Sequence, residues 1–231
     1  MSTPTPPASV RSTVRRHPER GAYDREAVHA VLDEGLVAHV GLTVEGQPFV
    51  IPMAYGRDGD RLLLHGSVAS RLMRGLAGGV PACVTVTLLD GLVMARSAFH
   101  HSMNYRSVVA LGTARRIDDP DEAAAALGTF VEHLVPGRGD EVRPSAPVEV
   151  RQTTVLEMSI EEASLKARTG GPVDDEADLD LPVWAGVVPL GVAVGEPISA
   201  PDAEHLPVSP SVRAWSRPGP TESVQPTAES V

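Results

Sequence analysis

Short apolar runs separated by tight-turn residues fill residues 36–116, and this pattern limits the possible folds of the 231-residue chain more than any other feature. LVAHVGLTV and PFVIPMAY flank a turn at 45–47 and predict a hairpin. GRDGD at 56–60 leads into RLLLHG, and Asp90-Gly91 predicts a second hairpin between PACVTVTL and LVMARSAFH. Five or six antiparallel strands of this kind predict a mainly β fold, a nearly closed barrel with peripheral helices.

Three helices are predicted around these strands. Asp24 is the expected cap of a short helix that ends at Gly35, and SVASRLMRGLAGG predicts a second short helix. DPDEAAAALGTFVEHLV gives the clearest helix, with Asp119 as its cap and Pro120 at its first position. After a loop, TTVLEMSIEEASLKAR predicts one long strand or two shorter ones.

Composition divides the chain into a central domain and two flanks. Residues 1–22 are rich in Pro, Ser, Thr and Arg and predict a flexible arm, whereas 196–231 predict a disordered tail. Residues 23–195 are long enough to bury a full core, and the single Cys83 excludes an internal disulfide framework. No apolar run approaches the roughly 18 residues of a membrane span, and the N-terminus lacks the apolar segment of a secretory signal. We therefore expect a cytoplasmic protein without a membrane partner.

Charge is distributed unevenly along the sequence. The chain carries 20 basic and 30 acidic residues and a net charge of −10. Residues 1–25 hold five arginines against two acids, whereas residues 117–231 hold seven bases against 21 acids. A protein with this balance repels polyanions, so no nucleic-acid partner is expected. A small anionic ligand would need a locally cationic pocket.

A polar cluster stands where a predicted strand passes into the second helix. It comprises His65, Gly66, Ser67, Ser70 and Arg71. Free backbone N–H groups at a helix start, two hydroxyls and a planar guanidinium suit a phosphate group. The residues therefore indicate a phosphate site for a nucleotide-like ligand. A serine-capped surface helix with one solvated arginine explains them as well, and such helices are commoner.

A second polar cluster follows two adjacent histidines, His100 and His101. It consists of Ser102, Asn104, Tyr105, Arg106 and Ser107. Neighbouring residues on a strand point to opposite sides, and no acidic partner stands nearby, so no metal site is predicted. The cluster suits either a flat ligand with polar edges or a hydrogen-bonded strand corner.

Two further candidate positions carry residue types that are rare in this chain. Lys166 is the only lysine and shares a strand face with Arg168. Charges on an edge strand also serve simply to discourage aggregation. Trp184 stands in an acidic, proline-bearing loop. Its ring is expected to close the barrel end or to lie against a ligand or a second subunit.

Six sequence runs taken in order point to a known family. They are RRHPERGAYD, LLLHGSVASRL, LDGLVMARSAFHHSMNYRSVV, HLVPGR, SLKARTGGP and PVWAGVVPL. Together they resemble the pyridoxamine 5′-phosphate oxidase-related, flavin-binding split-barrel family, above all its nitroimidazole-resistance branch, across residues 13–195. The resemblance implies a six-stranded antiparallel split barrel with short helices that forms a homodimer and holds FMN between its subunits.

The same resemblance implies site residues. The FMN-binding positions would be Pro52, Met53, Tyr55, His65, Gly66, Ser67, Ser70, Arg71, Ser102, Asn104, Tyr105, Arg106, Ser107, Lys166 and Trp184. His65 matches a histidine that the resistance branch places near the flavin and substrate, which makes it the candidate catalytic residue. Leu72 stands where the vitamin B6 oxidases have a lysine, and their C-terminal Arg/His substrate motif has no counterpart. Oxidation of pyridoxamine phosphate itself is therefore not expected.

The implied activity is that of an FMN-dependent oxidoreductase whose small-molecule substrate stacks on the flavin. Reduction of a nitro group is one candidate chemistry, with NADH or NADPH as candidate electron donors. The flavin ring carries out such redox chemistry itself, which fits the absence of a dinucleotide fingerprint, a Walker loop or a nucleophile elbow. Three alternatives stay open: deazaflavin or heme instead of FMN (His65, His100 or His101 as heme ligands), a non-catalytic flavin or heme carrier or sensor, and an interaction module without a ligand.

Overall fold

The computed structural model describes residues 5–216. Their strands form two antiparallel sheets. The described strands are β1 (Gly21–Ala22), β2 (Val37–Val44), β3 (Gln47–Ala54), β4 (Gly56–Asp58), β5 (Arg61–Ser67), β6 (Pro81–Met94), β7 (Ser102–Thr113), β8 (Arg115–Arg116), β9 (Thr153–Ser159), β10 (Ala163–Arg168) and β11 (Gly186–Pro189). The helices are α1 (Arg25–Glu34), α2 (Arg71–Ala77), α3 (Pro120–Leu134), α4 (Pro147–Gln152) and α5 (Pro210–Ala214).

The larger sheet has the order β1-β10-β7-β6-β2-β3, with β11 added on β6, and the smaller sheet has the order β4-β5-β9-β8. The main core is built from both sheets and contains Val40, Leu62, Leu64, Val84, Val86, Val108, Ala110, Leu156 and Met158. A second apolar cluster joins the smaller sheet to α3 through Leu63, Phe130 and Val155. The predicted mainly β fold, with antiparallel strands and short peripheral helices, is confirmed.

All three predicted helices are present, and each begins at the cap that the sequence indicates. The side chain of Asp24 accepts a hydrogen bond from the Ala27 N–H at 2.8 Å. Ser70 accepts from the Met73 N–H at the start of α2, and Asp119 accepts from the Glu122 N–H at 2.8 Å. These short-range bonds satisfy backbone donors that have no partner inside the helix, which explains why local sequence locates the helix starts well.

The predicted hairpin at Asp90-Gly91 is wrong. β6 runs without interruption from Pro81 to Met94 and pairs with β7 over most of that length, with an irregularity between Leu89 and Gly91. Gly91 serves strand packing rather than a turn, because a Cβ there would lie 3.0 Å from the carbonyl oxygen of Val188 on β11. A bulge beside a closely packed strand uses the same residue types as a tight turn.

The remaining turns follow the sequence more closely. The predicted turn between β2 and β3 has positive φ angles at Glu45 (52°) and Gly46 (80°), as a two-residue hairpin requires. The run TTVLEMSIEEASLKAR forms two strands, β9 and β10, that belong to different sheets. It therefore carries the chain from one sheet to the other.

Both flanks contact the central domain where the structure describes them. Arg11 and Ser9 donate to Glu162, and Ser211 of α5 donates through its backbone and its hydroxyl to Glu141. The predicted boundaries at 22 and 195 stay predictions, and the extreme ends of the predicted arm and tail, 1–4 and 217–231, lie outside the described residues. None of the helices within 5–216 is long and apolar enough to cross a membrane.

Candidate functional site

The predicted phosphate cluster forms one continuous corner between β5 and α2, here called the β5–α2 corner (residues 65–71). Ser67 Oγ accepts from the Ala69 N–H at 3.2 Å, and Ser70 caps α2. The guanidinium of Arg71 lies over the ring of Phe49, 4.6 Å from its centroid. Arg71 is exposed and has no salt bridge within the described part of the chain. The corner thus presents one accessible, unneutralised arginine beside two hydroxyls.

His65 and Gly66 occupy the inner part of this corner. The His65 ring meets Phe130 edge-on with centroids 4.2 Å apart, and burial lowers the pKa of His65. Its Nδ1 atom is buried and has no hydrogen-bond partner among residues 5–216. Gly66 lies so close to α2 that a Cβ would stand 2.8 Å from Met73 Cγ. His65 is therefore a neutral imidazole at pH 7, and Gly66 is a packing position.

The predicted residues of β3 and Tyr55, which directly follows this strand, divide between surface and core. Pro52 is exposed, Met53 is half-buried and Tyr55 is fully buried, donating its hydroxyl to the Leu32 carbonyl. Tyr55 therefore exposes no surface to a ligand in this chain, and its predicted contact with a cofactor stays a prediction. β3 is the edge strand of the larger sheet and exposes apolar side chains, with Val50 at 63% and Ile51 at 40% exposure.

Two residues of the second predicted cluster, Asn104 and Arg106, lie on the same face of β7 and bond within the chain. Asn104 is fully buried, accepts from Arg168 and donates to the Gly170 carbonyl at 3.1 Å. Arg106 donates to Glu34 at 2.5 Å and to Asp90 at 2.8 Å. These two residues are engaged within the chain. Their predicted contacts with a cofactor stay predictions.

Arg106 is held by charge as well as by geometry. The hydrogen bonds that Arg106 donates to Asp90 and Glu34 raise the pKa of Arg106 further above its ordinary value. The three side chains, here called the Arg106 clamp, tie the end of α1 to β6 and β7. Ser107, on the opposite face of β7, shares a hydrogen bond of 2.8 Å with Thr87.

A separate cavity of about 380 Å³ brings together residues distant in sequence; we call it the cationic cavity. It is lined by Arg16, His17, Arg20, Phe99, His100, His101, Ser102, Tyr105, Lys166, Arg168 and Val173. Three predicted site residues, Ser102, Tyr105 and Lys166, therefore lie together. Sequence reasoning missed Arg16, His17 and Arg20, although RRHPERGAYD, the run that contains them, was among the family-like segments.

The predicted site residues do not all lie in one cavity of the chain. The small apolar cavity beside Arg71 is lined by Leu42, Val44, Phe49, Ile51 and Leu72, and it shares no lining residue with the cationic cavity. Trp184 lines neither cavity; it is 64% exposed and packs against Gly186 of β11. Within residues 5–216 no group of three or more His, Cys, Asp or Glu side chains is placed to bind a metal ion directly.

Comparison with known proteins finds two solved structures with high similarity to this chain. No curated protein matches the chain. The structure is similar to that of the flavocytochrome Anf3 from Azotobacter vinelandii, with 42% identity, a TM-score of 0.86, and coverage of 92% of this chain and 99% of the other. It is also similar to an FAD and heme binding protein from Mycobacterium smegmatis, with 41% identity, a TM-score of 0.81, and coverage of 84% and 96%.

A more distant structure shares the fold alone. It is a putative 5-nitroimidazole antibiotic resistance protein from Bacteroides thetaiotaomicron, with 23% identity, a TM-score of 0.54, and coverage of 63% of this chain and 85% of the other. The family model described as pyridoxamine 5′-phosphate oxidase matches residues 24–167, which is more than half of the sequence. The resemblance read from the six runs is thereby confirmed, and the chain belongs to the pyridoxamine 5′-phosphate oxidase family.

Proposed function

We propose that this protein binds a flavin and a heme and transfers electrons between a small-molecule donor and acceptor. The observation that carries the proposal is the 42% identity to a flavocytochrome over 92% of this chain. The family model ends at residue 167, so this similarity includes the flanking segments as well as the barrel. The second protein, at 41% identity, is described as binding FAD and heme. We therefore favour FAD over the FMN that the sequence resemblance implies.

The β5–α2 corner suits a flavin phosphate. Arg71 offers a planar pair of N–H donors that no carboxylate within residues 5–216 occupies, and Ser67 adds a hydroxyl. Phe49 and Ile51 supply apolar surface next to this arginine. These residues would bind and orient the phosphate and shield the adjoining ring system from water. A bound flavin supplies one- and two-electron transfer, and a heme supplies one-electron transfer.

The three histidines considered as heme ligands differ in geometry. His101 Nδ1 lies 2.8 Å from the Ser97 carbonyl oxygen, which can only accept, so Nδ1 carries the proton and Nε2 keeps its lone pair. His100 Nε2 lies 3.3 Å from Asp175, and His65 is half-buried against Phe130. A histidine that holds its Nδ1 proton against a carbonyl is oriented for ligation through Nε2. We therefore propose His101, at the cationic cavity, as the heme ligand.

A homodimer is part of the proposal. Val50 and Ile51 on β3, together with Val37 on β2, expose apolar surface along one edge of the larger sheet. A second copy of the chain would cover these side chains, and the sequence resemblance implies that the cofactor then lies between the two subunits. Light scattering on the intact protein tests this, with Val50→Glu as an interface variant that leaves the Phe49 and Ile51 surface beside Arg71 unchanged: we expect a dimer that becomes monomeric and loses flavin in the variant.

The finer chemistry of the proposal rests on the sequence resemblance. Reduction of a nitro group, His65 as the catalytic residue, and NADH or NADPH as donor are its specific forms. The alternative is a carrier or sensor that binds the same cofactors without turnover. A cofactor-loaded protein that fails to consume NADH or NADPH with any acceptor would favour this alternative.

The decisive experiment is the absorbance and mass spectrum of the chromophores that copurify with the full-length chain. We expect flavin bands with the mass of FAD and a Soret band, each restored to stripped protein by FAD or hemin. Bound FMN without heme would instead support the simpler flavoprotein that the sequence resemblance implies. A colourless protein that binds neither flavin nor hemin would overturn the proposal.

A further inference from the structure

The cationic cavity concentrates positive charge in a protein of net charge −10. Four permanent cations line it: Arg16, Arg20, Lys166 and Arg168. Over the described residues, no aspartate or glutamate is part of the lining. Two carboxylates contact the lining from outside it: Glu19 contacts His17 and Arg20, and Asp175 contacts His100. Such a local excess of like charge is unfavourable unless an anion offsets it.

Arg168 shows this excess most clearly. It is 9% exposed, and its guanidinium donates to the Asn104 side chain and to the carbonyls of Gly170 and Gly171, all of which are neutral. Burial and the nearby charge of Arg20 lower the pKa of Arg168. A buried guanidinium without a countercharge is costly, because hydrogen bonds to neutral groups restore only part of its hydration. The cavity therefore carries uncompensated positive charge, which a bound anion would neutralise.

The N-terminal arm is fastened so that its cations face Arg168. Lys166 Nζ donates to the Arg16 carbonyl at 2.8 Å, and β1 pairs with β10 with Gly21 opposite Lys166. Further along, Arg11 donates to Glu162, just before β10 begins. Three separate anchors thus hold the arm along β10 and keep Arg16 and Arg20 at the cavity.

From this placement we infer that the cationic cavity binds the paired oxyanion groups of a cofactor, with the arm closing one side; the inference rests on the proposed function. Each arginine side chain can donate two parallel hydrogen bonds to one oxyanion. Two arginines that line the same cavity therefore suit two neighbouring oxyanions. The propionates of heme and the pyrophosphate of FAD are the two sources of such groups. Ser102 and Tyr105 add hydroxyls, and Phe99, 89% exposed, offers apolar surface for the attached ring system.

The test uses the full-length protein stripped of cofactors and a double variant, Arg16→Gln with Arg20→Gln. Its matched control is Arg115→Gln with Arg143→Gln, which removes the same charge from two exposed arginines outside the cavity, each paired with a glutamate. Hemin is titrated by its Soret band, and FAD and FMN by quenching of flavin fluorescence. Heme dimethyl ester, which lacks the propionate charges, is titrated in parallel.

We expect the arm variant to bind one cofactor about 10–100-fold more weakly than the wild type, and the control variant to bind it equally well. A loss for hemin, matched by weak binding of the dimethyl ester, identifies propionates; a loss for FAD identifies the flavin pyrophosphate. Unchanged affinity for all cofactors that the wild type binds would overturn this inference while the proposed function stands. A wild type that binds neither flavin nor hemin would overturn both.

Discussion

Arg106 and Arg168 lie on neighbouring strands, yet their surroundings are opposite. In the register of β7 and β10, Arg106 faces Ala167 and Arg168 faces Tyr105. Arg106 is clamped by Glu34 and Asp90, whereas Arg168 meets neutral acceptors and lies near another arginine. The same residue type thus serves two purposes on adjacent positions of one sheet.

The difference shows which arginines hold the fold and which are available to a ligand. Neighbouring carboxylates raise the pKa of Arg106, whereas burial and Arg20 lower that of Arg168. A guanidinium that is paired with carboxylates attracts a further anion only weakly, whereas a guanidinium without a countercharge attracts one strongly. On this basis we expect the Arg106 clamp to stabilise the fold and the cationic cavity to bind an anion.

The largest expected effect tests the structural half of this comparison. Arg106→Met removes the guanidinium that lies between Glu34 and Asp90, whose side chains are both about four-fifths buried. We expect a loss of about 2–4 kcal/mol in the free energy of unfolding, measured with urea. Arg57→Met, whose partner Asp33 is half exposed, is the control and should lose about 1 kcal/mol or less. Equal losses would show that the clamp has no special role.

The next effect concerns Arg71, an arginine that resembles Arg168 in lacking a carboxylate within residues 5–216 but is exposed. Arg71→Gln should weaken flavin binding about 10–100-fold, because a charge-assisted contact with the phosphate is lost. It should lower the unfolding free energy by no more than about 1 kcal/mol, the size of the exposed contact with the Phe49 ring. Arg74→Gln, one turn later on α2 and also exposed, is the matched control in the same fluorescence titration. If both variants bind flavin as the wild type does, the β5–α2 corner is not the phosphate site.

Local sequence predicted the features that depend on neighbouring residues. Asp24, Ser70 and Asp119 cap their helices because a cap bonds to a backbone group two or three residues away. The family-like runs also predicted the barrel and the residues of the β5–α2 corner. At Asp90-Gly91 the same kind of reasoning failed, since a bulge facing a third strand is a tertiary feature.

The Arg106 clamp and the cationic cavity lay beyond sequence reasoning for a related reason. Glu34, Asp90 and Arg106 come from α1, β6 and β7, and only the strand register brings them together. Arg16 and Arg168 meet because β1 pairs with β10. The sequence shows the excess of arginine in residues 1–25, but it does not show which part of the fold these arginines contact.

A smaller effect extends the comparison from arginine to histidine. His65→Leu removes the buried Nδ1 atom that has no partner among residues 5–216, so we expect a gain of about 1 kcal/mol in unfolding free energy at pH 8. Burial lowers the pKa of His65, so below about pH 6.5 the unfolded chain binds a proton more readily than the folded one, and wild-type stability falls. The leucine variant escapes this loss, and its advantage should widen between pH 8 and pH 5.

Urea unfolding at both pH values measures the difference. His29→Leu is the control, because His29 Nε2 lies 3.1 Å from Asp60, a partnered arrangement that the substitution destroys. His29→Leu should lose stability where His65→Leu gains it. A wild type that is more stable than His65→Leu at both pH values would contradict the claim that the His65 ring carries an unsatisfied atom.

The smallest expected effect concerns how the arm is held at the cationic cavity. Arg11 and Ser9 lower the pKa of Glu162 to about 2, so this carboxylate stays ionised in the folded state far below its ordinary range. Its contribution is complete above the unfolded pKa of about 4.3 and is lost only as the pH falls through about 2. Anchoring by Glu162 should therefore not change between pH 5 and pH 8.

Glu162→Gln weakens this anchor but leaves the β1–β10 pairing and the Lys166 contact intact. We expect faster tryptic cleavage within the arm and a loss of cofactor affinity of no more than about fivefold, well below that of the Arg16 and Arg20 double variant. Glu161→Gln, at the exposed neighbouring position, should change neither quantity. Identical cleavage rates in both variants would mean that strand pairing alone fixes the arm, and the cations at the cavity would then owe their position to β1 rather than to Glu162.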